Sequence, residues 1–107
     1  MDIAEFLLGR IADDEALARS VVDEHPMNDW ESYVSSAGFY EMPSSRFAID
    51  FNPERVLVEC KVKRELIAMH ATHFIDSPRH CQPNKRVLQV LALPYTDHSD
   101  YDESWRP

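Results

Sequence analysis

Glycine is almost missing from this sequence: Gly9 and Gly38 are its only two. A loop that cradles phosphate needs several glycines at fixed spacing, so nucleotide-binding loops of that kind are excluded. Cysteine is as scarce, with Cys60 and Cys81 alone. Two thiols make neither a disulfide framework nor a Cys-x-x-Cys pair, and Cys60 reads as a small buried hydrophobe. No apolar run approaches the ~20 residues of a membrane span. The opening Met1-Asp2-Ile3-Ala4-Glu5-Phe6 has acids where a signal peptide has bases. A cytoplasmic protein without membrane contact is expected. Positive charge is short as well: 11 bases face 19 acids, a formal charge of −8. That argues against direct binding to a nucleic-acid backbone, which needs a basic surface. It is compatible with plain solubility, with a basic protein partner, or with acidic mimicry of a nucleic acid.

What is present is ordinary for a soluble chain. The 107 residues are 44% hydrophobic and 28% charged, which predicts a single domain over residues 1–107 with one core. Its clearest element is a helix from Asn52 to His70. Asn52 is a capping residue, and Pro53 suits the first helical position because its missing N–H would have had no partner there. At 100° per residue Val56, Leu57, Cys60, Ile67 and Ala71 share one face, and Val58, Val62, Leu66 and Met69 share a second. A helix apolar on two faces is expected to be covered on both. Arg64 lies on the first face, its stem packing and its head reaching out to water or a carboxylate.

A first helix is predicted from about Ile3 to Asp23. Asp2 and Glu5 have capping-box spacing, and Ile3, Phe6, Leu7, Ile11, Leu17, Ala18, Val21 and Val22 form one broad face. Arg10 and Asp14 interrupt that face as an ion pair at its border or as a buried polar contact. The stretch from Pro26 to Phe51 admits two readings. In one, Asp29–Val34 and Phe39–Met42 form a hairpin around Ser35-Ser36-Ala37-Gly38, and Arg46–Phe51 adds a strand by its alternation. In the other, Asn28 and Glu31 cap a short helix over Asp29–Ala37. The hairpin is the reading adopted. Residues Ala71 to Pro83 are expected to be a loop, Lys85–Leu93 a short helix capped by Asn84 or a buried strand, and Ser99 with Asp102 a capping pair for a last turn, with Tyr95, Tyr101 and Trp105 folding back on the core. The fold class expected is α+β: two long helices and a short C-terminal helix packed with a small antiparallel hairpin.

Candidate chemistry is thin. His70, His73, His80 and Cys81 have side chains that bind zinc, and a helix continuing past His70 would put His73 on the same face. Their spacing matches no strong zinc pattern, so zinc is an alternative and no cofactor is the expectation. His80 beside Cys81 has no visible oxyanion feature to support a nucleophile. Asp97, His98, Asp100 and Asp102 would suit a hard cation or acid–base work, although a solvated tail has the same composition. No serine-hydrolase elbow or metalloprotease motif is present, so no enzyme is expected. Trp30, Tyr33, Phe39 and Phe47 read as cover for the central helix, or, with Trp30, Tyr33, Phe39 and Tyr40 exposed, as an aromatic patch for a protein partner.

Three pieces of the chain carry a resemblance: Met1-Asp2-Ile3 with Glu5-Phe6-Leu7; Asn52-Pro53, Arg55-Val56-Leu57, Glu59 and Lys63-Arg64; and Leu91-Ala92-Leu93-Pro94-Tyr95 followed by Asp97-His98, Asp100-Tyr101, Glu103 and Trp105-Arg106-Pro107. Together they resemble a family of small proteins of unknown function from actinobacteria and their bacteriophages. The tail is the specific piece. Many members resembling it carry several cysteines between central helix and tail, of which only Cys81 has a counterpart here, and that weakens the zinc reading. Asn52 stands where Asp is usual and Ser99 where Pro is usual; both keep capping. The resemblance implies a small cytoplasmic protein in an actinobacterial or phage setting and carries no activity with it. The function expected is protein–protein interaction without catalysis, and the phage setting the resemblance implies would direct it at a host protein. A zinc-stabilised module and an acidic nucleic-acid mimic are the alternatives.

Overall fold

Local chemistry at the helix starts is realised as the sequence implies. The Asp2 carboxylate accepts the Glu5 backbone N–H at 2.8 Å and opens helix α1, Ile3–Glu24. The Asn52 side-chain oxygen accepts the Arg55 N–H at 2.9 Å and opens α4, Pro53–Asp76, with Pro53 in its first position. The computed structural model describes residues 1–25, 27–35, 43–76 and 85–107, and for residues 27–29, 72–76 and 85 it describes the backbone alone.

Between α1 and α4 lie two further helices, α2 (Met27–Val34) and α3 (Pro43–Asp50). Helix α5 (Lys85–Ala92) is followed by the 3-10 turns Leu93–Tyr95 and Glu103–Trp105. Among the described residues there is no strand, so the fold is all-α and the expected α+β class is corrected. Asp29–Val34 is helical, as the rejected alternative had it; the second hairpin strand, Phe39–Met42, lies outside the described residues. Arg46–Phe51 is no strand either. Phe47 and Phe51 alternate with Ala48 and Asp50, but they are also four apart. In the helix their rings stack at 4.7 Å, while Arg46 meets Asp50 at 3.6 Å over the same spacing. Pro43, in the first helical position, was the overlooked start signal.

Two smaller corrections follow the same logic. Helix α4 does not stop at His70 but runs to Asp76, so residues 71–76 are helix where a loop was expected. The last turn is capped by Asp102, whose carboxylate takes the Ser104 N–H at 2.9 Å, and not by Ser99. The cap proposed at Asn84 and the end of α1 at Pro26 lie outside the described residues.

The chain divides into two units: Met1–Ala12 with Lys61–Pro107, and Asp13–Cys60. In the first, Phe6, Leu7, Ile11, Ile67, Leu88 and Ala92 are buried. Phe6 is its hub. The rings of Trp105, His98, Tyr101 and Tyr95 surround it with centroids at 5.1, 5.6, 6.0 and 6.3 Å, mostly edge to face. The Arg10 guanidinium lies 5.6 Å over the same ring. In the second unit the buried residues are small: Ala18, Ser45, Pro53 and Cys60. Of its larger rings, Trp30 is half-buried and Tyr33, Phe47 and Phe51 are exposed. The Trp30 indole N–H donates to the Ala48 carbonyl at 2.8 Å and ties α2 to α3.

Candidate functional site

Acidic charge is unevenly placed. The segment Asp13–Cys60 contains 11 acids and 3 bases, the whole of the −8, whereas the remaining residues hold 8 of each. The acidic unit also carries the aromatic residues anticipated for partner binding. Trp30 is half-buried and aims its N–H inward, leaving ring surface beside His25 and Tyr33. Tyr33 is 52% exposed and stacks on His25 with centroids 4.0 Å apart. Phe39 and Tyr40 lie outside the described residues. Phe47 (64% exposed) and Phe51 are exposed as well, so Phe47 is not the cover for the central helix that its sequence suggested. The Arg55 guanidinium sits 4.0 Å from the Phe51 ring centre and pairs with Glu59 at 3.0 Å. Beside these rings a hollow of about 240 Å³ is lined by Leu17, Val21, Trp30, Phe51, Pro53 and Val56, with Asp14 its charged residue. Aromatic rings beside an apolar hollow, one of them stacked under an arginine, are the composition of protein-binding hot spots.

The tail groups that suggested cation binding or acid–base work are engaged in local turns. His98 Nδ1 accepts the Asp100 N–H at 3.0 Å while its ring lies against Phe6. Backbone donation from Ser104 holds the Asp102 carboxyl below the usual carboxylate range. Arg106 donates to both oxygens of Glu103, at 2.9 and 3.1 Å, lowering the Glu103 pKa and raising its own. Tyr95, Tyr101 and Trp105 do fold back on the core, as expected; this bidentate pair, the place of His98 and the choice of Phe6 as the residue they close on were not anticipated.

His70 is half-buried and lines a cavity of about 560 Å³ with Asp2, Ile3, Leu88, Gln89, Ser104 and Trp105. Helix α4 does continue through His73, but only the backbone of that residue is described, and His80 and Cys81 lie outside the described residues. Among the described residues no three His, Cys, Asp or Glu side chains are grouped to hold a metal. No helix there is long and apolar enough to cross a membrane.

A second surface contradicts the expectation that α4 is covered on both sides. Its first face is closed over Cys60 and Ile67, but Val58, Val62, Leu66 and Met69 are exposed. Amphipathic periodicity marks which residues share a face; it does not say whether the chain has enough material to cover it.

No curated protein and no solved structure matches the chain. A family model does, over residues 1–107, that of a family of unknown function (DUF6221).

Proposed function

The chain belongs to DUF6221, a family of unknown function, and from its acidic, aromatic unit we propose that it works by binding a basic protein, without chemistry of its own. The carrying observation is the coincidence of the whole formal negative charge with the Tyr33, Phe47 and Phe51 rings within Asp13–Cys60. Aromatic rings supply contact area at low conformational cost, and the surrounding carboxylates steer and orient a positively charged partner. The setting we propose is the one the resemblance implies, a phage-encoded or actinobacterial protein acting in the cytoplasm on a host protein.

A second reading uses the same charge: the partner is a nucleic-acid-binding protein whose basic groove the acidic unit fills. Affinity capture from host lysate with the wild-type chain and with Phe47→Ala/Tyr33→Ala tests both. A stoichiometric basic partner, lost with the double variant, is the expected result. Release of that partner by added duplex DNA favours the mimic, and capture of no stoichiometric partner counts against both.

A further inference from the structure

The cavity that His70 lines lies wholly within the unit of Met1–Ala12 with Lys61–Pro107. Four separate stretches of chain meet there: the start of α1 with Asp2 and Ala4, α4 with His70, α5 with Leu88 and Gln89, and the last turn with Trp105. Its volume of about 560 Å³ falls within the roughly 300–1,000 Å³ of small-molecule sites. Leu88 is buried, and Ala4 and Trp105 are half-buried, so the cavity has an apolar interior.

The polar groups around it have hydrogen-bonding capacity that the fold leaves unused. The His70 imidazole and the Gln89 amide are half-buried, yet neither bonds to any described residue, and nor does the Trp105 indole N–H. The Asp2 carboxylate gives Oδ1 to the Glu5 N–H at 2.8 Å, while Oδ2 has no partner among the described residues.

Charge decides the kind of ligand. No lysine or arginine is among the described residues lining the cavity. The positive end of α1, which would otherwise draw an anion, is already answered by the Asp2 cap. Phosphates and carboxylates therefore have no fixed counter-charge here. An ammonium has one in Asp2, and the Trp105 ring offers a face on which an aromatic body or a cation is favourable.

We propose that this cavity binds a small organic amine, with the ammonium at Asp2, an aromatic or apolar body against Trp105 and Leu88, and a hydrogen-bonding group on that body met by His70 or Gln89. The site belongs to a different unit from the partner surface of Asp13–Cys60, and neither reading depends on the other.

Tyramine is the probe, because it joins an ammonium, an aromatic ring and a hydroxyl. Nitrogen–proton NMR of the full chain reads its binding through two indoles, Trp105 at the cavity and Trp30 in the other unit as the control. Tyramine is expected to shift the Trp105 indole resonance saturably and to leave that of Trp30 in place. Hydroxyphenylpropanoate, which exchanges the ammonium for a carboxylate, is expected to bind at least about tenfold more weakly. Asp2→Asn, which keeps a capping side chain and alters the net charge by only one, is expected to weaken tyramine by a similar factor. Ala4→Leu fills the cavity with a strong helix former and is expected to abolish binding; it serves where Asp2→Asn fails to fold, with circular dichroism verifying helicity. Absence of a saturable Trp105 shift with tyramine overturns the proposal. So does an equal shift at Trp30, carboxylate binding as tight as the amine's, or tyramine affinity that folded Asp2→Asn or Ala4→Leu leaves unchanged.

Discussion

The two units solve the same problem with opposite means. In Met1–Ala12 with Lys61–Pro107, one large ring, Phe6, is buried and four further rings close around it. Among the described residues of Asp13–Cys60 the buried ones are small, Tyr33, Phe47 and Phe51 are exposed, and the half-buried Trp30 ties α2 to α3 by an indole-to-carbonyl bond. The first unit puts its aromatic area into its own stability. The second leaves that area available and surrounds it with negative charge, which self-repulsion makes unfavourable for a compact fold and useful for attracting a basic partner. What differs is therefore less the amount of aromatic surface than whether the chain itself covers it.

That contrast sets the order of expected effects. Phe6→Ala removes the hub from under four rings and is expected to destabilise the protein by about 3–5 kcal/mol in urea denaturation, with loss of the Trp105 near-ultraviolet signal. Trp30→Phe keeps an aromatic ring, smaller than the indole, but removes the donor to the Ala48 carbonyl; a loss of about 1–2 kcal/mol is expected. If Trp30→Phe proved as damaging as Phe6→Ala, the second unit would have a core as dependent on its rings as the first, and the contrast would fail.

The smallest effect is the dependence on acid. Asp102 and Glu103 have pKa values below their ordinary range in the folded chain, through the Ser104 N–H and Arg106 respectively. Groups whose folded pKa is depressed stabilise the fold fully above their ordinary values, and that contribution is lost as pH falls through the depressed ones. Tail order, followed by the near-ultraviolet signal of Trp105, is thus expected to weaken as pH falls below about 4, the ordinary carboxylate range. Asp102→Asn and Glu103→Gln should flatten that dependence. The raised pKa of Arg106 works in the other direction: its contribution is present below the ordinary arginine value and is lost only as pH rises through the raised one, far outside the range of such a titration.

How much of this was legible in the sequence depends on the range of the interaction. Caps are local, and Asp2, Asn52 and Pro53 could be read directly because donor and acceptor are three residues apart. Arg46–Phe51 was misread because Phe47 and Phe51 satisfy both a period of two and a spacing of four, and six residues cannot separate them. The chemistry of Pro43 could have decided it. The surroundings of Phe6 are long-range: nothing in Phe6-Leu7 specifies that residues 95 to 105 return to it, although the aromatic tail announced a cover for something. The exposed row of α4 was legible as a row and illegible as exposed, since pattern records which side chains point together and not what lies opposite. For the candidate site, Trp30 and Tyr33 could be picked out from residue type, while the concentration of charge in one unit became visible only once the structure drew the unit's boundary.

Cys60 has a further use. It is 2% exposed within α4. A thiol in that position reacts with a labelling reagent only when its surroundings open. In a Cys81→Ser chain the modification rate of Cys60 is therefore a clock for opening of α4 around it. Read with and without a bound partner, it reports how far engagement at the surface slows the breathing of the interior.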